Sequence, residues 1–598
     1  MIDMKSAHPA RPLEVLCRIV PAQGDEVPAS LRRTFLPEAG GTLLTLDGLA
    51  ASDIRQARIL LSVPILDMTG IYLGGDPGPE FGHLPFWHHE KHTRANSGFP
   101  YVALHNANGL NRMAIGLVDQ LLDCAIGLTL DEAGRCYHIE ICARLSPADR
   151  ERLDKDGLTL FIRDDPAPWH DVLGQYRALA ESALPAPPIA VPAAAFDPVF
   201  CTWTAAHHGI TGQWCEATAR MAADLGFGTW LTDDGWFTQK AEFGRYDHVG
   251  DWQPDPEKFP GFRDHVGRVR DMGLRYLIWV SPLMVGPESM AHASLADNLT
   301  QGRADLHAGH LSPTAPGAAD HVAELLERLL TDYGLDGFKI DFIDALETAV
   351  CPSTNTNDNF GAATLGLLRR AVDRVLAHRP DALIEFRNTY TNLAAAALAN
   401  IYRASDVPLN PDLNLWQVTM LRLMAPGRAI HMDPMFWHPE ESDRNVALQL
   451  MRGLAGVPMV SVRLTETRAS HLALIRHWLD FYTRHRATLW HGAFVPVIEG
   501  RSIRQLGFSD AARRIVIALG DSLIECPATL EEQIVLNASA QGSPVLALAA
   551  PSRLSLFDMW GKALDTCDVE PGLVTMDVEP GGVIVITPGS ETDVGAVA

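Results

Sequence analysis

Lys339 and Asp341 stand two residues apart in the largely apolar segment GLDGFKIDFIDAL, residues 334–346. Because alternate side chains of a β-strand point to the same face, this spacing predicts an ammonium and a carboxylate side by side on one face of a buried strand. A nearby ammonium lowers the pKa of a carboxylate, which suits a nucleophile that must stay deprotonated at neutral pH. A buried ion pair with a purely structural role would show the same spacing.

Asp406, in the segment YRASDVP, is the best placed candidate for a second carboxylate that both gives and takes a proton. Arg403, three residues earlier, could orient substrate hydroxyls or pair with a carboxylate. Pro408 prevents the strand from continuing directly into a helix. Taken alone, the segment fits an aspartate that caps a turn or a helix more simply than it fits a catalytic group.

The segment LTDDGWF, residues 231–237, combines two carboxylates with aromatic rings. Asp233 and Asp234 could accept hydrogen bonds from neighbouring sugar hydroxyls, and the ring of Trp236 could cover the apolar face of a sugar. Asp-Asp-Gly is also a common turn, so the chemical interpretation depends on where the fold places the segment.

Eight short apolar runs alternate with helix-length amphipathic segments, which is typical of repeated βα units. The runs are 199–205, 228–234, 276–282, 337–342, 383–388, 401–406, 429–434 and 458–462. Among the intervening segments, 212–226 and 319–334 have helical character, and Gly334 is a good helix terminator. Eight parallel strands with helices between them in about 280 residues predict a (β/α)8 barrel.

Nearly every predicted strand ends in a polar or ionisable residue, whereas the strand starts do not. In a (β/α)8 barrel the active site is built from the carboxyl ends of the strands and the loops that follow. The pattern therefore predicts a polar cup at that end of the barrel. The residues concerned are Asp233, Asp234, Ser281, Asp341, Glu385, Arg387, Asp406 and Asp433.

The barrel is predicted to lie between two β-rich parts. Short β-like runs separated by turn residues before residue 182 predict an N-terminal β-sandwich, and a Pro- and Ala-rich stretch at 183–198 predicts a linker. Strand-like runs return after residue 489. We therefore expect an α/β fold with a sandwich at 1–182, a barrel at 199–488 and a C-terminal antiparallel β-domain at 489–598.

Composition limits the partners of the 598-residue chain. A formal net charge of −24 repels nucleic acid and anionic membrane surfaces, and no apolar run reaches the roughly 18 residues of a membrane span. The N-terminus has no signal-peptide pattern, so we expect a cytoplasmic protein, although a chain trimmed of such a peptide would look the same. The nine cysteines, without a C-x-x-C pair, suggest reduced thiols.

The histidine clusters are weak candidates for metal ligands. His88, His89 and His92 form one group and His207 and His208 another, but neither shows a convincing ligand spacing on a strand. We expect surface or substrate-contacting histidines, and neither a metal nor another cofactor.

In sequence order, four motifs resemble those of glycoside hydrolase family 36 and, more loosely, of the clan that also holds families 27 and 31. WLTDDGWF is similar to the end of that family's second strand, and GDWQPDPEKFPG, residues 250–261, to the loop that follows it. GFKIDF is similar to the Lys-x-Asp nucleophile strand, and YRASD to the Ser-Asp that carries the acid/base. The family consists of retaining α-glycosidases, mostly α-galactosidases.

This resemblance implies that Asp341 is the nucleophile and Asp406 the general acid/base. Double displacement then requires the two carboxyl groups to lie about 5–5.5 Å apart. The residues expected to contact the sugar are Asp233, Asp234, Trp236, Trp279, Lys339, Glu385, Arg387 and Arg403.

Two departures from the family pattern bear on the sugar. Leu283 stands where the family more often has a glutamate after the third strand. The fifth strand leads into EFRNTYTN rather than a Cys-x-Gly-Gly-Gly loop, so the site gains bulk and a guanidinium. Arg387 could therefore face an anionic or otherwise decorated sugar, or a second sugar residue.

Several alternatives remain open at the level of sequence. The same barrel could transfer the sugar to another sugar hydroxyl, could use its carboxylates to hold Mg²⁺, or could bind sugars without catalysis. The resemblance also implies homodimers or homotetramers, in which the segment LPFWHHEKHTRANSGF, residues 84–99, could reach a neighbour's active site.

Overall fold

Eight short parallel strands form the central sheet of the computed structural model. They are β1 (Val199–Cys201), β2 (Thr229–Thr232), β3 (Arg275–Val280), β4 (Gly337–Ile340), β5 (Leu383–Arg387), β6 (Ile401–Arg403), β7 (Ala429–His431) and β8 (Met459–Val460). The structure describes residues 2–5, 12–21, 27–28, 30–36, 41–49, 54–73, 87–237, 245–300, 304–346, 350–354, 358–499, 502–520, 523–540 and 542–589. All eight predicted strands are present.

The sheet closes into a barrel. Its strand order is β7-β6-β5-β4-β3-β2-β1-β8, with every neighbouring pair parallel. The ring is completed where Val457, just before β8, donates its N–H to Ile430 O of β7 at 2.7 Å, and Met432 N–H donates to Val457 O at 3.1 Å. The predicted (β/α)8 barrel is confirmed.

Amphipathic helices surround the barrel and cover the outer faces of its strands. The longer ones are Gly212–Leu225, Phe262–Arg270, Ala318–Tyr333, Phe360–His378, Pro411–Met424, Asp443–Gly453 and Ala469–His491. The first begins where the Thr211 side chain accepts from Trp214 N–H, and it ends at Gly226 with φ of 100°, a left-handed turn that glycine adopts without strain. Among the described residues, no helix is long and apolar enough to span a bilayer.

The N-terminal part is a sandwich of two antiparallel sheets with an apolar core between them. In the strand Asp123–Asp131 buried and partly exposed residues largely alternate, which is typical of a sheet with one face on a core. One sheet contains Ile2–Lys5, Pro12–Pro21, Val27–Pro28, Ile54–Pro64, His88–Thr93, Asp123–Asp131 and Cys136–Arg144; the other contains Ser30–Leu36, Gly41–Asp47, Gly70–Leu73, Tyr101–His105, Asn111–Leu117 and Leu158–Arg163. The helix Pro147–Asp156 connects the strands Cys136–Arg144 and Leu158–Arg163, and the helix Trp169–Ser182 follows the last strand.

The C-terminal part also consists of two sheets, mostly antiparallel. Their strands are Ala493–Glu499, Ser502–Ser509, Arg513–Ala518, Glu532–Asn537, Ser552–Phe557, Ala563–Val569 and Val583–Pro588 in one, and Leu523–Cys526, Val545–Leu548 and Gly572–Thr575 in the other. Two pairs are parallel, Arg513–Ala518 with Glu532–Asn537 and Leu523–Cys526 with Val545–Leu548. In each parallel pair, the two strands are separated along the chain by a strand of the other sheet. The chain therefore returns to the first sheet in its original direction.

The sandwich is bonded to the loops that follow β4 and β5. Asn96 Nδ2 donates to Ile343 O at 2.7 Å, two residues after Asp341. Asn392, after β5, donates from Nδ2 to the carbonyls of Arg94, Gly98 and Gln120 at 3.1–3.2 Å. The described residues at the end of the segment 84–99 therefore pack on the barrel of their own chain.

We predict that Asn392→Ala destabilises the fold by about 2–4 kcal/mol, because it removes the hydrogen bonds that a buried amide donates to the carbonyls of Gly98 and Gln120. Asn392 is 1% exposed, so water cannot replace the lost bonds. Urea unfolding measures the change, with Asn108→Ala as the control because Asn108 is exposed. An equal effect of the two substitutions would contradict the role given to Asn392.

Candidate active site

Asp341 follows the last residue of β4 and is 6% exposed. Its Oδ1 accepts from Tyr390 Oη at 2.7 Å and from its neighbour's backbone, Phe342 N–H, at 2.7 Å, while Arg387 Nε lies 2.9 Å away. Its Oδ2 accepts from Trp279 Nε1 at 2.9 Å. Several donors thus fix the orientation of a single carboxylate at the carboxyl end of the barrel.

The surroundings of Asp341 keep it ionised. Burial by itself would raise the pKa of this carboxyl, but the charges of Arg387 and Lys339 and the hydrogen bonds from Tyr390 and Trp279 outweigh that effect and hold the pKa well below its usual range. A buried carboxylate that stays deprotonated is what a nucleophile at neutral pH requires.

Lys339 forms its ion pair with Asp233, not with Asp341 as the spacing predicted. Lys339 Nζ lies 2.6 Å from Asp233 Oδ2, and both side chains are almost fully buried. The reason is the closed barrel, in which Asp233, directly after β2, and Lys339 of β4 meet in the interior from the strands on either side of β3. Lys339 still acts on Asp341 through its charge, which lowers the pKa of that carboxyl.

One carboxylate oxygen of Asp234 contacts two side chains, and the other oxygen can still accept a hydrogen bond. Its Oδ2 contacts His208 Nε2 at 3.1 Å and accepts from Tyr246 Oη at 3.1 Å. Its Oδ1 is buried and receives no hydrogen bond from the part of the chain that the structure describes. Because a buried acceptor without a donor is costly, this atom suits the hydroxyl of a bound sugar.

Arg387 lies between the two predicted catalytic carboxylates. Its Nε is 2.9 Å from Asp341 Oδ1, and its Nη1 is 3.4 Å from Asp406 Oδ2. A third carboxylate, Asp344, is 3.9 Å from Nη2. Together these carboxylates outweigh the effect of burial and raise the pKa of the guanidinium, which therefore stays charged.

Asp406 belongs to a second group of charges around Arg403. Arg403 Nη2 contacts Asp406 Oδ1 at 3.0 Å, and Nη1 contacts Asp433 at the end of β7. Partial loss of hydration opposes ionisation of Asp406, but Arg403 and Arg387 outweigh it and lower its pKa. Burial raises the pKa of Asp433 to about 7. The side chain of Asp406 is 63% exposed and that of Asp341 only 9%, so Asp406 is the accessible carboxylate of the pair.

Two residues predicted to contact substrate lie deeper than expected. Trp236 is fully buried, stacks on Phe262 and donates from Nε1 to Trp279 O at 2.8 Å, so the prediction that its ring covers a sugar is wrong for this structure. Glu385 is 1% exposed and contacts His431 Nδ1 at 3.0 Å inside the barrel. Trp279, also buried, positions Asp341 through its indole N–H.

Three residues at this end of the barrel were given neither a catalytic nor a substrate-contacting role from the sequence. Tyr390 donates to Asp341, Tyr246 donates to Asp234, and Asp433 contacts Arg403. Asp433 was placed in the predicted polar cup because it lies at the end of a predicted strand. Tyr246 lies in a loop after β2, and no spacing in the sequence indicates its contact.

An open cleft of about 600 Å³ lies beside this site. It is lined by the loops after β1, β6, β7 and β8, including His207, Leu409, Phe436, Trp437 and Arg463. Leu409 is 72% exposed and follows Asp406 by three residues. The cleft therefore borders the loop of the accessible carboxylate.

Comparisons with known proteins agree with this fold. The family model described as Melibiase matches residues 194–387, a range that runs from the end of the predicted linker through β5. This match and the relatives below confirm the resemblance to glycoside hydrolase family 36.

Among curated relatives, α-galactosidase C of Emericella nidulans is 26% identical over 209 residues, covering 31% of this chain and 26% of that protein. The α-galactosidase AgaA of Geobacillus stearothermophilus is 25% identical over 195 residues, with the same coverages. The matches thus span about a quarter of each relative. The solved structure of AgaA has 15% identity and a TM-score of 0.65, covering 96% of this chain and 91% of AgaA, which shows a shared fold.

We predict that Lys339→Met lowers the free energy of unfolding by about 3–5 kcal/mol, because it leaves Asp233 charged and buried without its cation. The double variant Lys339→Met with Asp233→Asn should recover much of that loss. Arg504→Ala, which removes a surface ion pair with Glu499, serves as the control and should cost less than about 1 kcal/mol. A double variant less stable than Lys339→Met in urea unfolding would contradict the pairing.

Proposed function

We propose that the chain is a retaining α-glycoside hydrolase of the α-galactosidase type. The observation that carries the proposal is the pair formed by Asp341, buried, ionised and fixed at the end of β4, and Asp406, accessible after β6. Residues 199–488 form the catalytic barrel in this proposal, between the sandwich at 1–182 with its linker at 183–198 and the domain at 489–598.

The reaction proceeds by double displacement. Asp341 attacks the anomeric carbon of the sugar while protonated Asp406 gives its proton to the oxygen of the leaving group, so that the glycosidic bond breaks and a glycosyl ester forms on Asp341. Asp406, now a carboxylate, takes a proton from water, and the resulting hydroxide displaces Asp341. The sugar leaves with its original anomeric configuration, and Asp406 is protonated again.

Arg387 must move when substrate binds. The anomeric carbon has to lie near Asp341 and the leaving oxygen near Asp406, which is the region that the guanidinium now bridges. Removal of the guanidinium from Asp406 raises the pKa of that carboxyl, since one of the three cations that hold the pKa down is gone. Substrate binding thus favours the protonated form of Asp406 at the step in which Asp406 acts as the general acid.

A galactose-type sugar is the substrate class that the relatives support. A variant of AgaA was solved in complex with raffinose, at 14% identity to this chain and a TM-score of 0.65, covering 96% of this chain and 91% of that one. An A-type blood α-D-galactosamine galactosaminidase of Flavonifractor plautii is 27% identical over 141 residues, covering 21% of this chain and 12% of that protein. The cleft beside Asp406, with Leu409 and Phe436 in its wall, is where the leaving group of an oligosaccharide would lie.

We predict that Asp341→Asn lowers kcat/KM on an aryl α-galactoside by about a thousandfold or more, because an amide in place of the carboxylate cannot form the glycosyl ester. Asp344→Asn, on the same loop, is the matched control and should lose less than about tenfold. Proton NMR of the wild-type reaction should show the α-anomer of the free sugar first.

Full activity of Asp341→Asn, or initial release of the β-anomer, would contradict the mechanism. Activity that disappears in chelator and returns with Mg²⁺ would instead favour a metal-dependent barrel enzyme. Transfer products in the presence of an acceptor sugar would identify transglycosylation on the same site. Hydrolysis rates on a panel of aryl α-glycosides (galactoside, glucoside, xyloside and N-acetylgalactosaminide) identify the sugar that the enzyme releases.

We predict that Arg387→Met moves the alkaline limb of the pH profile of kcat/KM to higher pH. That limb reports loss of the proton from the acid in the free enzyme, and the guanidinium lowers the pKa of Asp406. Arg387→Lys keeps the positive charge and should leave the limb near its wild-type position. An alkaline limb that is the same in wild type and Arg387→Met would show that Arg387 does not set the protonation of the acid.

A further inference from the structure

A hairpin of the N-terminal sandwich brings three side chains with metal-binding atoms together. The strands Asp123–Asp131 and Cys136–Arg144 are antiparallel. Asp131 pairs directly with Cys136 at the end of the hairpin where the turn joins the two strands. His138 lies two residues after Cys136, so both side chains point to the same face. That is the outer face of the sheet, because Tyr137 between them is buried in the core.

The spacing of the three groups matches tetrahedral coordination. His138 Nε2 lies 3.7 Å from Asp131 Oδ2 and 3.8 Å from Cys136 Sγ, and the three atoms all lie within 4.8 Å of one another. Ligands on a tetrahedral Zn²⁺ ion, at bonds of about 2.0–2.3 Å, stand roughly 3.4–3.6 Å apart. Shifts of a few tenths of an ångström in the two distances from His138 Nε2 would therefore complete that part of the site.

Neighbouring groups already orient two of the three ligands. His138 Nδ1 lies 3.0 Å from Ser62 Oγ on the adjacent strand, so a proton on Nδ1 that is donated to this hydroxyl leaves the Nε2 lone pair facing the cluster. Asp131 Oδ1 accepts from Gly134 N–H at 2.8 Å in the turn, which leaves Oδ2 toward the other ligands. Such outer partners are a regular feature of protein metal sites.

We propose that Asp131, Cys136 and His138 bind a borderline divalent ion of the Zn²⁺ type. Cys136 is not in a disulfide; on binding, its thiol proton passes to solvent, and the thiolate and the carboxylate balance the two charges of the ion. Three protein ligands leave the fourth position to water. The bound ion ties the end of the hairpin together on a part of the chain outside the barrel, so this inference does not depend on the proposed activity.

Titration of the full-length reduced protein with Co²⁺ tests the site, because Co²⁺ accepts the same ligands and its thiolate complexes absorb in the near ultraviolet. We expect one Co²⁺ per chain with a thiolate-to-metal band that Zn²⁺ removes. Cys136→Ser should abolish the band, and His138→Gln should weaken binding at least about tenfold. Ser62→Ala should weaken it by about tenfold or more through its effect on His138.

Cys142→Ser is the matched control, because Cys142 lies on the same strand, is also partly exposed and, like Cys136, is not in a disulfide. It should leave the band unchanged. Absence of the band in the wild type, an equal band in Cys136→Ser, or its loss in Cys142→Ser would overturn the proposal. As a second readout, Zn²⁺ should raise the unfolding temperature of the wild type and not that of Cys136→Ser.

Discussion

The ion pair between Lys339 and Asp233 is the interaction on which the arrangement of the barrel interior depends. Both groups are nearly fully buried, and a buried charge without a partner costs several kcal/mol. The same constraint governs the other cations of this region, since Arg387 and Arg403 each contact more than one carboxylate. The cup of carboxylates can therefore exist at neutral pH only because three cations lie among them.

This balance of charge also gives the two candidate catalytic groups different environments. Asp341 is enclosed by donors that favour its ionised form, whereas Asp406 is exposed and contacts guanidinium groups from two strands. A ligand that displaces Arg387 changes the environment of both at once. The sandwich supports this arrangement, because Asn96 and Asn392 bond it to the loops that carry Asp341 and Tyr390.

Hydrophobic periodicity was sufficient to predict all eight barrel strands and the position of Asp341 at a strand end. It could not predict the partner of Lys339, because that depends on which strands lie close together in the closed barrel. The parallel register places Trp279 and Glu385 beside Lys339 on the neighbouring strands, information that no local spacing contains. Trp236 was misplaced for a related reason: its aromatic side chain fits a sugar platform and a core equally well, and the helix that supplies Phe262 decides between them. Tyr246 and Tyr390 contact the carboxylates from loops, and the position of a loop residue cannot be predicted from its spacing in the sequence.

The central claim is that Asp341 forms a covalent bond to the sugar. The most direct measurement is mass spectrometry of peptides after incubation with a fluorinated α-galactosyl fluoride that forms the glycosyl ester quickly and hydrolyses slowly. The account predicts one added sugar on the peptide that contains Asp341, released when the enzyme turns over again. A label on Asp406, or turnover of the reagent with no labelled peptide at any time, would contradict it.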